Sequence, residues 1–244
     1  KKQQTKHTMK KILLALITVF TFSQVNAQTS IFNDLLQKHV TKDGIVDYKA
    51  FKEDKAKLDS YISYLEKTSP DNSWSENKQK AFWINAYNAY TIKKILENFP
   101  LKSIMDIKEK GKTAWKIPFA KVGGKTYTLD HIEHEILRKN LFDPRIHVGV
   151  NCASGSCPKL LNMAFTEENV DASLEKLMKE FVNDSSRNKI SNKKVQISSI
   201  FDWFNEDFTK NGSVIEYLNK YSNIEIKNNA RTSYLKYDWS LNGK

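Results

Sequence analysis

The chain has 244 residues, a formal charge of +11, 40% hydrophobic and 11% aromatic residues, enough apolar material for one sizeable core. Its lysines are scattered singly and in pairs with acids between them. No arginine-rich stripe or aromatic–basic ladder occurs, which excludes nucleic acid as an expected partner.

From Met9 the sequence reads as an export signal. Lys10 and Lys11 form a basic flank, Ile12 to Phe22 an apolar stretch, and Val25-Asn26-Ala27 a small-residue cleavage pattern. The apolar stretch falls short of the roughly 20 residues that span a bilayer. Gln28 rather than cysteine follows Ala27, so the expected product is periplasmic or secreted and not a lipoprotein. Residues 1–8 are read as an upstream extension, 9–27 as the signal, and 28–244 as one globular domain with no later transmembrane segment. The first 27 residues hold five lysines and no acids, which leaves the domain at about +6.

Ser30 is placed to cap a first helix running to about Val40, with Ile31, Leu35 and Leu36 facing inward, and Asp43-Gly44 reads as a turn. Phe51, Leu58, Ile62 and Leu65 recur at helical spacing and predict a second helix ending before Pro70. Ser73-x-x-Glu76 predicts a capping box opening a third helix to about Phe99. Phe82 to Tyr90 is apolar on nearly every side, so that helix is expected to be buried. Asn85 and Asn88 share a stripe with Ala81, Ile92 and Leu96, where aliphatic residues would be expected. They are either ties to neighbouring backbone or lining of a binding site.

Gly123-Gly124 between two apolar runs predicts a hairpin of Ile117–Val122 with Lys125–Leu129. Asp130-x-x-Glu133 predicts a capping box for a helix through Arg138. Ile146, Val148 and Val150 alternate with His147 and Gly149, the pattern of a short buried strand that runs into the loop Asn151–Pro158. Val170, Leu174, Leu177 and Phe181 predict another helix, and Val195–Ile197 a strand. Ser198 or Ser199 is expected to cap a helix carrying Phe201, Phe204 and Phe208, and Tyr234–Leu241 to form a terminal strand. The sum is an α+β fold, mostly helical with a small, mainly antiparallel sheet.

Five separated blocks occur in an order that resembles the DUF547 family, a domain of unknown function. They are Ala81–Ala89, Leu129–His134 with Leu137-Arg138, Asp143–His147, Asn151–Pro158 and Tyr237–Asn242. The resemblance covers roughly Ile31 to Asn242. The family's eukaryotic branch is more similar to this chain at Cys152 than at Cys157, which tilts functional weight toward Cys152.

The chemically capable side chains cluster between positions 131 and 157. His131, His134 and Arg138 share one face at α-helical spacing, whereas Glu133 points elsewhere. One reading is a cysteine-peptidase-like hydrolase or transferase for amide bonds of peptide or cell-wall type. Cys152 is then the nucleophile, His134 the base with His147 second, and Glu133, Asp238 or an asparagine the orienting group. Asn85, Asn88, Arg138, Asn151, Ser154 and Asp238 are the expected binding residues, with loop N–H groups offered to an oxyanion. The second reading is a non-catalytic binding domain in which Cys152 and Cys157 form a disulfide, as cysteines of exported proteins often do. A third makes Cys152, Cys157, His134 and His147 a zinc set. No organic cofactor is expected, and nothing in the sequence fixes an oligomeric state.

Overall fold

The computed structural model describes residues 28–244; the expected signal and the residues before it lie outside this range. Helix α1 already runs at residue 28 and ends at 39, so Ser30 sits inside it rather than capping it. The expected second helix is broken at Asp54 into α2 (Tyr48–Glu53) and α3 (Lys55–Lys67). Asp47 caps α2 by accepting a hydrogen bond from the Ala50 N–H at 3.0 Å.

Helix α4 (Glu76–Asn98) is the central pillar, buried from Lys80 to Ile92 without interruption. Its cap is Ser75, which accepts from the Lys78 N–H; the expected box at Ser73 is absent because Ser73 turns back onto Asp71. Helices α2, α3 and, later in the chain, α6 (Val170–Asn183) pack around α4.

Three small sheets decorate this bundle. Strands β1 (Lys108–Glu109) and β2 (Lys112–Thr113) pair antiparallel, as do β3 (Ala120–Val122) and β4 (Lys125–Tyr127). Gly123 and Gly124 both have positive φ, 55° and 76°, the requirement of the two-residue turn the sequence predicts. The third sheet has the order β5 (Lys189–Ile190), β6 (Lys194–Ile197), β7 (Arg231–Tyr234), with β5–β6 antiparallel and β6–β7 parallel. The α+β reading therefore holds. The terminal strand is shorter and earlier than expected: after Tyr234 the chain is irregular, touching back through a bridge of Leu241 to Ser154.

Two departures shape the site. Residues Ile146–Gly149 form a four-residue helix, α5, not a strand. Residues His131–Asn140 form a π-helix, opened by Thr128 rather than by the expected Asp130–Glu133 box: the Thr128 side chain accepts from the His131 N–H at 3.0 Å. The expected aromatic helix after Ser198 breaks at Phe204 into α7 (Ile200–Trp203) and α8 (Asn205–Thr209); α9 (Val214–Asn219) follows, opened by a capping box of Ser213 and Glu216. Among the described residues no helix is long and apolar enough to cross a membrane.

Candidate functional site

A cavity of about 190 Å³ opens where α4, the π-helix, α5, α7 and the chain end converge. Tyr87, Trp115, Trp203, Phe204, Tyr237 and Trp239 wall it, and Asp130, Glu133, His134, His147, Cys152 and Cys157 supply its polar and sulfur atoms. All four residues of the expected catalytic set thus border one cleft. The π-helix explains how Glu133 and His134 both reach it. Bonding to the fifth residue rather than the fourth widens the winding and changes which neighbours share a face. His131 stays exposed, against the Tyr127 ring at 5.2 Å.

Asp207 organises the histidines, and nothing in the sequence reading pointed to it. Its carboxylate accepts from Arg138 Nε and Nη2 at 2.6 and 3.0 Å. The same carboxylate meets His147 Nε2 at 2.7 Å. Burial alone would raise the Asp207 carboxyl, but the hydrogen bonds from His147 and Arg138 outweigh it and hold its pKa at about 2. Arg138 also reaches His134, Nη1 to Nδ1 at 3.1 Å.

These contacts assign the ring protons. A guanidinium only donates, so Nδ1 of neutral His134 is the acceptor and its proton sits on Nε2. At His147 the carboxylate is the acceptor, so Nε2 carries the proton and Nδ1 keeps the lone pair. His147 is 3% exposed and is stacked on Phe204 at 4.1 Å, so its ring is fixed by packing as well as by Asp207.

Cys152 and Cys157 are joined as a disulfide. They are not equivalent: Cys152 is half-buried, whereas Cys157 is 4% exposed and accepts a hydrogen bond from the Cys152 N–H at 3.0 Å. Cys152 Sγ lies 3.3 Å from Ser154 Oγ and 3.4 Å from the Tyr237 hydroxyl. Ser154 donates to that hydroxyl at 3.0 Å, and burial, partly offset by this bond, pushes the Tyr237 phenol up to about 12. The zinc set does not form a metal centre. The two sulfurs are bonded to each other, and among the described residues no three His, Cys, Asp or Glu side chains group closely enough to hold an ion.

Several expected binding residues build the loop instead of lining the cavity. Asn85 donates to the Phe165 carbonyl at 2.7 Å and accepts from the Phe165 N–H at 3.0 Å. Asn88 does the same between Gly149 and Asn151, at 2.9 and 2.8 Å. Asn151 donates to the Pro158 carbonyl at 2.8 Å and accepts from the Ala153 N–H at 2.9 Å. Asp238 is directed at Ser240, not at a histidine, and Ser154 touches the sulfur through the contacts given above. The N–H groups of Ala153, Gly155, Ser156 and Cys157 are all engaged within the protein, so they are not the free oxyanion donors expected of the loop. His134 and Tyr237, both lining the cavity, carry donors in Nε2–H and the hydroxyl.

Fold and cleft together define an α+β domain with a buried central helix and a Cys-x4-Cys loop that closes one side of an aromatic cavity. Residues 72–182 match the model of the family described as "Protein of unknown function, DUF547", which supports the resemblance carried by the sequence blocks. The match contains α4, the π-helix, α5 and the cysteine loop; Trp203, Asp207, Tyr237 and Trp239 lie beyond it. No curated protein and no solved structure matches the chain.

Proposed function

We propose that this is an exported thiol hydrolase or transferase of the cysteine-peptidase type, acting on amide bonds of peptide or cell-wall type and held inactive by its disulfide. The observation that carries the reading is that Cys152, His147, His134 and Glu133 border the same cavity. Export rests on the signal pattern of Met9 to Ala27, and a disulfide suits an oxidising compartment.

The enzyme becomes active in two steps. An external thiolate attacks Cys152 Sγ, the more accessible sulfur, and Cys157 leaves as a thiolate stabilised by the Cys152 N–H. A second thiolate then attacks the mixed disulfide at the external sulfur, releasing Cys152 as a thiolate and the reductant as its own disulfide. His147 Nδ1 is the base: Asp207 holds the ring in the tautomer that leaves this lone pair, as an orienting carboxylate must. His134 is the electrophile, its Nε2–H donating to the oxygen that gains charge as Cys152 adds to the amide carbonyl. His147 Nδ1, protonated from solvent beside the Cys152 thiolate, gives that proton to the departing amine. The same nitrogen then takes a proton from water or from a second amine as it attacks the thioester, and the acyl group leaves Cys152 as a thiolate again.

Cys157→Ser tests this directly. The variant should be alkylated by iodoacetamide at Cys152 near pH 6 and should cleave peptide amides or cell-wall peptides without reductant. The wild type should do either only after thiol treatment, and His147→Ala should slow both. The intact disulfide favours a second reading, a binding pocket with a purely structural bridge. That reading takes over if Cys157→Ser labels slowly and turns over no amide.

A further inference from the structure

The cavity is acidic and aromatic in a basic protein, and we infer that it recognises an alkylammonium group carried by the substrate. Trp203 lines the cleft and is 48% exposed, so its ring is open to a ligand. Its ring lies nearly parallel to Trp239, 16° off at 5.8 Å, and Tyr237 contacts both at 4.7 and 4.6 Å. Trp115 meets Trp239 edge-on at 5.7 Å. Four rings from three separate segments therefore converge on one opening, presenting π faces that attract a cation.

The charges agree. Asp130 and Glu133 line the same cavity, and neither forms an ion pair among the described residues; Arg138 and His147 are bonded to Asp207, and the Arg138 charge reaches Glu133 only at longer range. Glu133 is 8% exposed and its carboxylate accepts from the Tyr87 hydroxyl, so its charge borders the cavity with little water to screen it. An aromatic wall alone would suit a sugar or an apolar side chain equally. Two carboxylates with no cation in direct contact among the described residues favour a ligand that brings its own positive charge. The cavity of about 190 Å³ suits one extended side chain rather than a whole drug-sized ligand, for which pockets run to roughly 300–1,000 Å³. The inference rests on the amide-acting site and names its substrate class: a peptide whose amine-bearing side chain, lysine-like, enters the cleft.

The test uses the oxidised, uncleaving protein, so binding is read without turnover and can fail or succeed independently of catalysis. Nα-acetyl-lysine methylamide and its neutral counterpart Nα-acetyl-norleucine methylamide are titrated at pH 8, above the ordinary range of histidine, with tryptophan fluorescence and calorimetry as readouts. The lysine probe should bind at least about tenfold more tightly, and its affinity should fall as salt is raised. Trp203→Ala, a surface change that leaves the core intact, should remove most of the preference, and Glu133→Gln should weaken the lysine probe while sparing the norleucine one. Equal binding of the two probes, a preference that survives both substitutions, or tighter binding of a neutral disaccharide than of the lysine probe would overturn the inference.

Discussion

Replacing Asp207 with asparagine removes the charge that binds Arg138 and His147 while nearly preserving volume. The side chains of Asp207, Arg138 and His147 are 11%, 23% and 1% exposed, so the group is largely withdrawn from water. Hydrogen bonds to charged partners contribute about 1.5–3 kcal/mol each. Asparagine keeps one acceptor oxygen, so the net loss at pH 7 should be about 2–4 kcal/mol, or on the order of 10 °C in Tm for a domain of this size. The pKa supplies a second signature. A carboxyl depressed to about 2 contributes stability above its unfolded value near 3.9 and loses it as pH falls through 2. Discounted for partial exposure, that is about 1–2 kcal/mol.

The gap between wild type and Asp207→Asn should therefore narrow as acid is added. Other carboxylates, such as Asp54 and Asp143, also titrate low, so the difference between the two proteins is the informative quantity. Urea unfolding at pH 7, 4 and 2.5 measures it. A gap that is absent at pH 7, or that stays constant down to pH 2.5, would refute the assignment of Asp207 as the hub of the histidine network. Under the proposed hydrolase mechanism the same variant, after thiol treatment, should lower kcat more than it raises KM, because a mis-set His147 tautomer affects the chemical step rather than binding.

Asn88→Leu should cost about 1–3 kcal/mol in denaturant melts, since it orphans the Gly149 carbonyl and the Asn151 N–H together; unchanged stability would show that the tie is dispensable. Asn85→Leu should behave alike through Phe165, and neither variant should alter ligand preference in the folded protein. N-terminal sequencing of the exported species should begin at Gln28, and a retained Met9 would sink the signal reading.

What the sequence revealed and what it concealed divide by range of interaction. The aromatic run of α4 announced burial because a helix apolar on all sides has no solvent face, and Asn85 and Asn88 stood out there because buried amides demand partners. Their partners, 61 to 80 residues away, were not legible, and so lining and tethering could not be told apart. The alternation at Ile146–Val150 misled for a physical reason. Every residue from Ile146 to Gly149 is buried, so alternation there does not report a wet face and a dry one. Gly149 packs so closely that an added Cβ would meet Leu174 Cδ2 at 2.8 Å and Ile84 Cδ1 at 3.2 Å, a fit that suits a tight helical turn against α4 and α6. The π-helix concealed more. Ordinary helical spacing sets Glu133 apart from His134, yet both border the cavity from the π-helix. Asp207 lay hidden between aromatic residues as one acid among many, because its meaning comes from Arg138 and His147, 69 and 60 positions earlier. The aromatic wall has the same origin: positions 87, 115, 203–204 and 237–239 lie far apart in the chain and share one cavity only when the chain end folds back across the cysteine loop.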